Sequence, residues 1–222
     1  MATTTVVNVS DIREELLQFL RNQDILSIST RQVTTVTEEF DGTGAQTVFT
    51  LANSTSKNVR TVTVGGVPQT FGVDFSVDLD ASTVTFTVAP AVGTDNVDIT
   101  YDFGSDRIFG DYPQPDLTLN NFPRIVVDIL DATTQELSLG GVSNLTSYRI
   151  SVTFYSPKVS EVWSGLDTIK EKFQNNKTDF FFIPFITPIR LSPLIRAPWG
   201  DGKIVQATRD FEILFVYEPT TP

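Results

Sequence analysis

Thr and Val alternate along much of the segment 39–103, and turn residues interrupt it at short intervals. Val62 and Val64 fall on one side of a strand, and Thr61 and Thr63 on the other. Val84, Phe86 and Val88 repeat the pattern, as do Val97, Ile99 and Tyr101. Successive side chains of a strand point to opposite faces, so this period predicts half-buried strands. They fall near 46–51, 59–64, 74–79, 83–88 and 97–103, with Gly65-Gly66 as a tight hairpin turn and Val67-Pro68-Gln69 after it. Many short strands at even spacing predict a small antiparallel sandwich. A lone sheet with one apolar face is marginal, so a second layer is expected.

Outside this block the spacing changes. Ile12, Leu16, Phe19 and Leu20 form a helical stripe over 10–20, with Ser10 placed to cap it and Asp11, Glu14 and Glu15 suited to its positive end. Val159, Val162, Trp163, Leu166, Ile169 and Phe173 form a second stripe. Here Ser156 is the expected cap, Pro157 takes the first helical position, and Asn175-Asn176 ends the helix. The β-branched run 25–37 reads as an extended lead-in, and 106–122, with Pro113 and Pro115, reads as a loop. Segments 124–130 and 148–155 pair as a hairpin across a connection holding Gly140-Gly141, and 204–217 closes the chain as a long strand. With the central block set aside, the order is helix, strand, strand, helix, strand, which predicts helices on one side of an antiparallel sheet. The expected fold is therefore an α+β host domain of 1–37 and 106–222, carrying an inserted all-β, immunoglobulin-like sandwich of 38–105.

Composition narrows the chemistry. The 222 residues are 40% hydrophobic and 11% aromatic, enough for one large or two small cores. There is no His and no Cys, which excludes disulfides, thiolate nucleophiles, Cys/His zinc sites and His-based triads. Net charge is −11, unsuited to sequence-independent nucleic-acid binding. The opening MATTTVVNVS lacks the basic and apolar regions of a secretory signal. The most apolar run, 180–195, is broken by Pro184, Pro188, Arg190 and Pro193, so a soluble chain is expected.

Few residues suggest a site. Asp78 and Asp80 share the parity of a strand face, but the further ligands of a calcium loop are missing, and a solvated turn is expected. Asp41-Gly42-Thr43-Gly44 lacks the Lys-Ser/Thr of a phosphate loop. Asp95, Asp98 and Asp102 with Glu38 and Glu39 offer carboxylates for glycoside hydrolysis, a mechanism that needs a set separation. Lys170, Lys172 and Lys177 suit the negative end of the second helix. No catalytic residue, cofactor or metal site is assigned. The aromatic cluster Phe180, Phe181, Phe182, Phe185 and Trp199 reads either as core or as a subunit interface, because consecutive aromatics of an extended chain cannot all face one core.

The runs FDGTGAQTVFTL, VRTVTVGGVPQTFGVDFSVD and STVTFTVAPAVGTDNVDITY resemble the small β-sandwich module common in phage tail-fibre and other virion proteins. The flanks, through the first helix, PRIVVDIL with YRISVTFYSP, the helix VSEVWSGLDTIKEKF and the closing RDFEILFVY, are similar to tail terminator or tail-completion proteins of long-tailed phages. They depart from that pattern in the long insertion after the first helix and in the FFFIPFITPIRLSPLIRAPW segment. This resemblance implies a ring, with a hexamer as the expected size. The ring caps the tail tube, stops its growth and meets the head-side connector, with viral DNA passing through its lumen and no membrane involved. Two other readings compete: a tail adhesin binding a receptor or glycan through the β block, and a carbohydrate-active enzyme using Asp and Glu. Fibre proteins trimerise through long repeats, and none is visible here.

Overall fold

The computed structural model describes residues 9–54, 56–110, 122–136, 144–176, 180, 183–197 and 202–217. The chain divides into two compact units, one of Met1–Ile25 with Arg107–Pro222 and the other of Leu26–Asp106. We call these unit 1 and unit 2.

Unit 1 holds α1 (Val9–Asn22), β8 (Ile108–Phe109), β9 (Arg124–Glu136), β10 (Asn144–Ser156), α3 (Val159–Asn175), β11 (Ile186–Leu191), β12 (Ile195–Arg196) and β13 (Val205–Tyr217). Its sheet runs β11-β13-β10-β9-β8, with β12 also on β13. All its pairs are antiparallel except β8–β9. Direct partners share a face, so Val127, Val152 and Arg209 lie on one side of the sheet, as do Ile125, Phe154 and Ala207. The helices cover that side. Arg209 bonds Asp167 of α3 at 2.8 Å, and Phe173 of α3 packs edge-on against Phe211 at 4.9 Å. Phe19 of α1 stacks at 5.5 Å on Phe173. Val162, Leu166, Ile169 and Phe173 are fully buried, as the stripe predicts, whereas Val159 is exposed.

Two local expectations shift. Lys158, not Ser156, occupies the N-cap of α3 and makes no side-chain cap bond. The Ser156 hydroxyl accepts from Lys158 N at 3.0 Å and donates to Glu161 at 2.6 Å. Hydrogen bonds from Lys158 and Ser156 hold the Glu161 carboxyl below its usual range. The side chains of Ser10 and Asp11 lie outside the described residues, as do Pro113, Pro115, Gly140, Gly141 and Lys177.

Gly165 sets the distance between α3 and the sheet, because a Cβ there would overlap the ring of Phe154. Gly165→Ala should gain up to about 1 kcal/mol in helix propensity but cost about 1–3 kcal/mol through overpacking. A net fall in melting temperature is expected in a thermal scan.

Unit 2 holds α2 (Ile28–Arg31), β1 (Val33–Gly42), β2 (Val48–Thr50), β3 (Ser56–Val64), β4 (Val67–Pro68), β5 (Phe75–Asp78), β6 (Thr83–Phe86) and β7 (Gly93–Gly104). Sheets of order β1-β7-β3-β4 and β2-β6-β5 share a core built from Phe49, Val62, Phe75, Val84, Ile99 and neighbouring apolar residues. Gly65 and Gly66 take φ of 57° and 78° opposite the Val64–Val67 pair, the left-handed turn that a two-residue hairpin requires.

The expected fold class is overturned. The described residues are 51% strand and 19% helical, mostly β, and they form several antiparallel sheets and three helices and not a clear α+β host carrying an immunoglobulin-like insert. The run 25–37, read as an extended lead-in, holds the short helix α2 at Ile28–Arg31 before it enters β1 at Val33, and the proline-broken run supplies β11 and the start of β12. In unit 2 the first strand pairs with the last, β1 with β7, whereas an immunoglobulin sheet begins by pairing its first two strands.

Candidate functional site

The most unusual surface of unit 1 is the edge of its sheet. Among the described residues β11 pairs with β13 alone, which makes it an edge of the sheet. Pro188 faces Phe211, and a register shift between Pro188 and Arg190 leaves Ile189 as an extra, bulged residue. Proline and a bulge are both features that stop an edge from recruiting another strand. After Leu191 the edge continues without a regular ladder. Ser192 N donates to Thr208 O, and Thr208 N donates back to the Ser192 hydroxyl, both at 2.8 Å. β12 then takes up the pairing at Gln206 and Val205. Phe185 (61% exposed), Ile189, Leu191 and Ile195 are open to solvent along this edge, which also carries the exposed Arg190 and Arg196.

The structure separates the aromatic cluster. Phe180 lies 4.4 Å from Phe19 and 6.0 Å from Phe173, so it packs half-buried against the core between helices and sheet. Phe185 is on the surface. Phe181, Phe182 and Trp199 lie outside the described residues. Ile189, Leu191 and Ile195 were missed, because their prolines argue against any strand that would display them.

The face of the sheet opposite the helices carries a polar ladder. Ser147 donates to Glu212 at 2.6 Å, Arg149 pairs with Asp210 at 2.9 Å, and the hydroxyls of Thr153 and Thr208 are 2.8 Å apart. Thr133, Ser147, Glu212 and Leu214 line a shallow cavity of about 360 Å³ on this face. At the other end Val126 and Tyr155 are buried beneath Phe122, Ala197 and Ile204.

Of the candidate acids of unit 2, Glu39 and Asp98 stand directly opposite each other on β1 and β7, whereas Asp102 is enclosed by bases. Arg31, 0% exposed, reaches Asp102 at 2.9 Å and Asp106 at 2.8 Å. Arg60 and Thr35 also donate to Asp102, each at 2.7 Å. Burial alone would raise the Asp102 carboxyl. Hydrogen bonds from Arg60 and Thr35, with the charges of Arg31 and Arg60, outweigh it and hold the group below its usual range. Asp98 accepts from Thr63 at 2.9 Å, and Asp78 closes a turn by accepting from Ala81 N at 2.9 Å. Among the described residues no three His, Cys, Asp or Glu are grouped as metal ligands.

Glu38 accepts a short hydrogen bond from the Tyr101 hydroxyl, and both its oxygens receive Ala52 N. Asn53 Nδ2 donates to the same phenol oxygen at 2.7 Å. Burial pushes the Tyr101 phenol up, and the bond to Glu38 adds to the shift. Tyr101→Phe leaves Asn53 and Glu38 short of a partner. It should cost about 1–3 kcal/mol, read as a lower urea midpoint with an unchanged slope.

At the end of unit 2 away from the Val33–Gly104 pair, one residue ties together three segments through its side chain and its backbone carbonyl. Asn96 Oδ1 accepts from Gly42 N at 2.7 Å, its Nδ2 donates to Ala91 O at 2.9 Å, and its carbonyl accepts from Gly65 N at 2.6 Å. Asp41, in the glycine-rich run, accepts from Asp95 N at 2.8 Å, and this run is the end of β1 and the start of the loop that follows it. Val67, Val88 (78%) and Val92 (80%) are exposed on these loops. No helix among the described residues is long and apolar enough to cross a membrane.

No known family model matches the chain, and no curated protein matches it.

Proposed function

We propose that this chain is a structural virion protein of the head–tail neck. Copies form a ring, with six subunits expected, at the end of the tail tube. The ring stops tube polymerisation and joins the tail to the head connector. The observation that carries this reading is the edge of unit 1, where Phe185, Ile189, Leu191 and Ile195 are exposed while Pro188 and the Ile189 bulge block strand addition. Apolar surface of this kind marks interaction sites. A contact made by side chains, not by open-ended ladder growth, suits an assembly that must close. The resemblance of the flanking sequence to tail terminators points the same way. The net charge of −11 also suits a lumen that DNA must traverse without sticking.

Locating the chain in an electron-microscopy map of an intact particle tests this reading. A ring between tube and connector is expected, and a position at a fibre tip would refute it. The adhesin reading is favoured by the valines on the Asn96-tied tip, since a preorganised apolar tip suits binding. A stable trimer in solution, in place of a monomer or a sixfold species, would support that alternative.

A further inference from the structure

We infer that the edge of unit 1 in one copy docks on the tip of unit 2 in a second copy, a head-to-tail contact between two different surfaces of the same chain. The inference rests on reading the protein as a self-assembling ring component, and it names the two surfaces that meet.

Their chemistry is complementary. Residues 186–196 contain Arg190 and Arg196 and no acid, in a chain of 16 basic and 27 acidic residues. Around these arginines stand the exposed Phe185, Ile189, Leu191 and Ile195. Unit 2 is the opposite. Its bases are Arg31, Lys57 and Arg60, of which Arg31 is fully buried and Arg60 is paired with Asp102. The tip loops carry exposed Asp41 and Asp95, no base, and the exposed Val67, Val88 and Val92. An apolar strip flanked by arginines thus has a counterpart of valines flanked by carboxylates. Charge matching of this kind selects partner and register, and apolar burial supplies the affinity.

Both surfaces are held in shape before contact. Asn96 pins the tip loops, and β11 and β12 are fixed along β13. Little ordering is then left to oppose association. Pro188 and the bulge keep the edge from adding a strand, so the contact is made by side chains. Each copy offers one edge and one tip, so the contact repeats from copy to copy and gives a ring where the rotation closes.

Two full-length variants test this by sedimentation and mass photometry. R190E/R196E alters the edge and leaves the tip intact. V88S/V92S removes the apolar side chains of the tip and leaves the edge intact. Each variant alone should self-associate about tenfold or more weakly than the unaltered protein. Mixed together they should form one-to-one pairs that grow no further, because each pair uses the one intact edge and the one intact tip. Association of the unaltered protein should weaken as salt rises, since the charges lie at solvent-exposed positions.

A mixture that stays monomeric, a tip variant that assembles like the unaltered protein, or association that strengthens with salt would each overturn the inference. If these outcomes occur while particle maps still show a ring at the neck, the edge–tip contact fails and the neck reading stands. If pairs form but the chain maps to a fibre tip, the neck reading fails and the contact stands. A chain monomeric at its highest soluble concentration also overturns the contact.

Discussion

Arg31→Met should destabilise unit 2 by about 3–5 kcal/mol, the cost of leaving a buried charge without its partner. Arg31 is 0% exposed and serves Asp102 at 2.9 Å and Asp106 at 2.8 Å. Methionine keeps most of the volume and removes the charge, so the loss reports the ion network and not a cavity. Arg60→Met should cost less, because Arg60 is partly open to water and Arg31 still faces Asp102. Urea titrations followed by near-ultraviolet circular dichroism measure both. A change under about 1 kcal/mol for Arg31→Met would show that the network contributes little. The same network carries a pH signature. The folded Asp102 carboxyl lies below its ordinary value, so its contribution is present above an unfolded pKa of about 3.9. It is lost as pH falls through the lower folded value. In Arg31→Met that acid-dependent loss should shrink, because one of the charges holding Asp102 down is gone.

Phe173→Ala is the second large effect, about 3–5 kcal/mol for emptying a fully buried aromatic site. Its ring meets Phe19, Phe180 and Phe211, so the cavity opens where both helices and the sheet converge. Phe185→Ala should move stability by no more than about 0.5 kcal/mol, as is usual for a surface position. Parallel thermal and urea unfolding of the two variants measures the contrast. Equal losses would mean that Phe185 is also core, and the interaction surface would have to be redrawn.

The parts of this molecule that follow local rules were legible in its sequence. Gly65-Gly66 is a hairpin turn because few other residues accept two successive positive φ values. Val162, Leu166, Ile169 and Phe173 are buried because their spacing puts them on one helix face. The closing run 204–217 is a strand almost throughout. What was misread depends on neighbours. Pro184, Pro188 and Pro193 look like breakers until β11 is seen to lie at an edge, where a missing N–H is tolerated. β1 lacks a clean alternation, and its pairing with β7 needs the far end of unit 2 to specify it. These two elements moved the balance from α+β to mostly β. Arg31 gave no local sign of its role, because its partners lie more than seventy residues along the chain. Asn96 was equally silent, since its three partners come from three separate turns.

The direct pairing of Val33 with Gly104 fixes the two ends of unit 2 beside each other. Its consequence is kinetic. Contacts of α1 with β8, such as Arg21 to the Ile108 carbonyl at 2.8 Å, span a long stretch of chain if unit 2 is still unfolded. Once β1 and β7 have zipped together, the same contacts close a much shorter loop, from Arg21 to Val33 and from Gly104 to Ile108. Each halving of a flexible loop lowers its closure cost by about 0.6 kcal/mol. The central block should therefore fold first and act as a splint for the split unit around it. In pulse-labelled hydrogen exchange, β7 amides should become protected before those of α1.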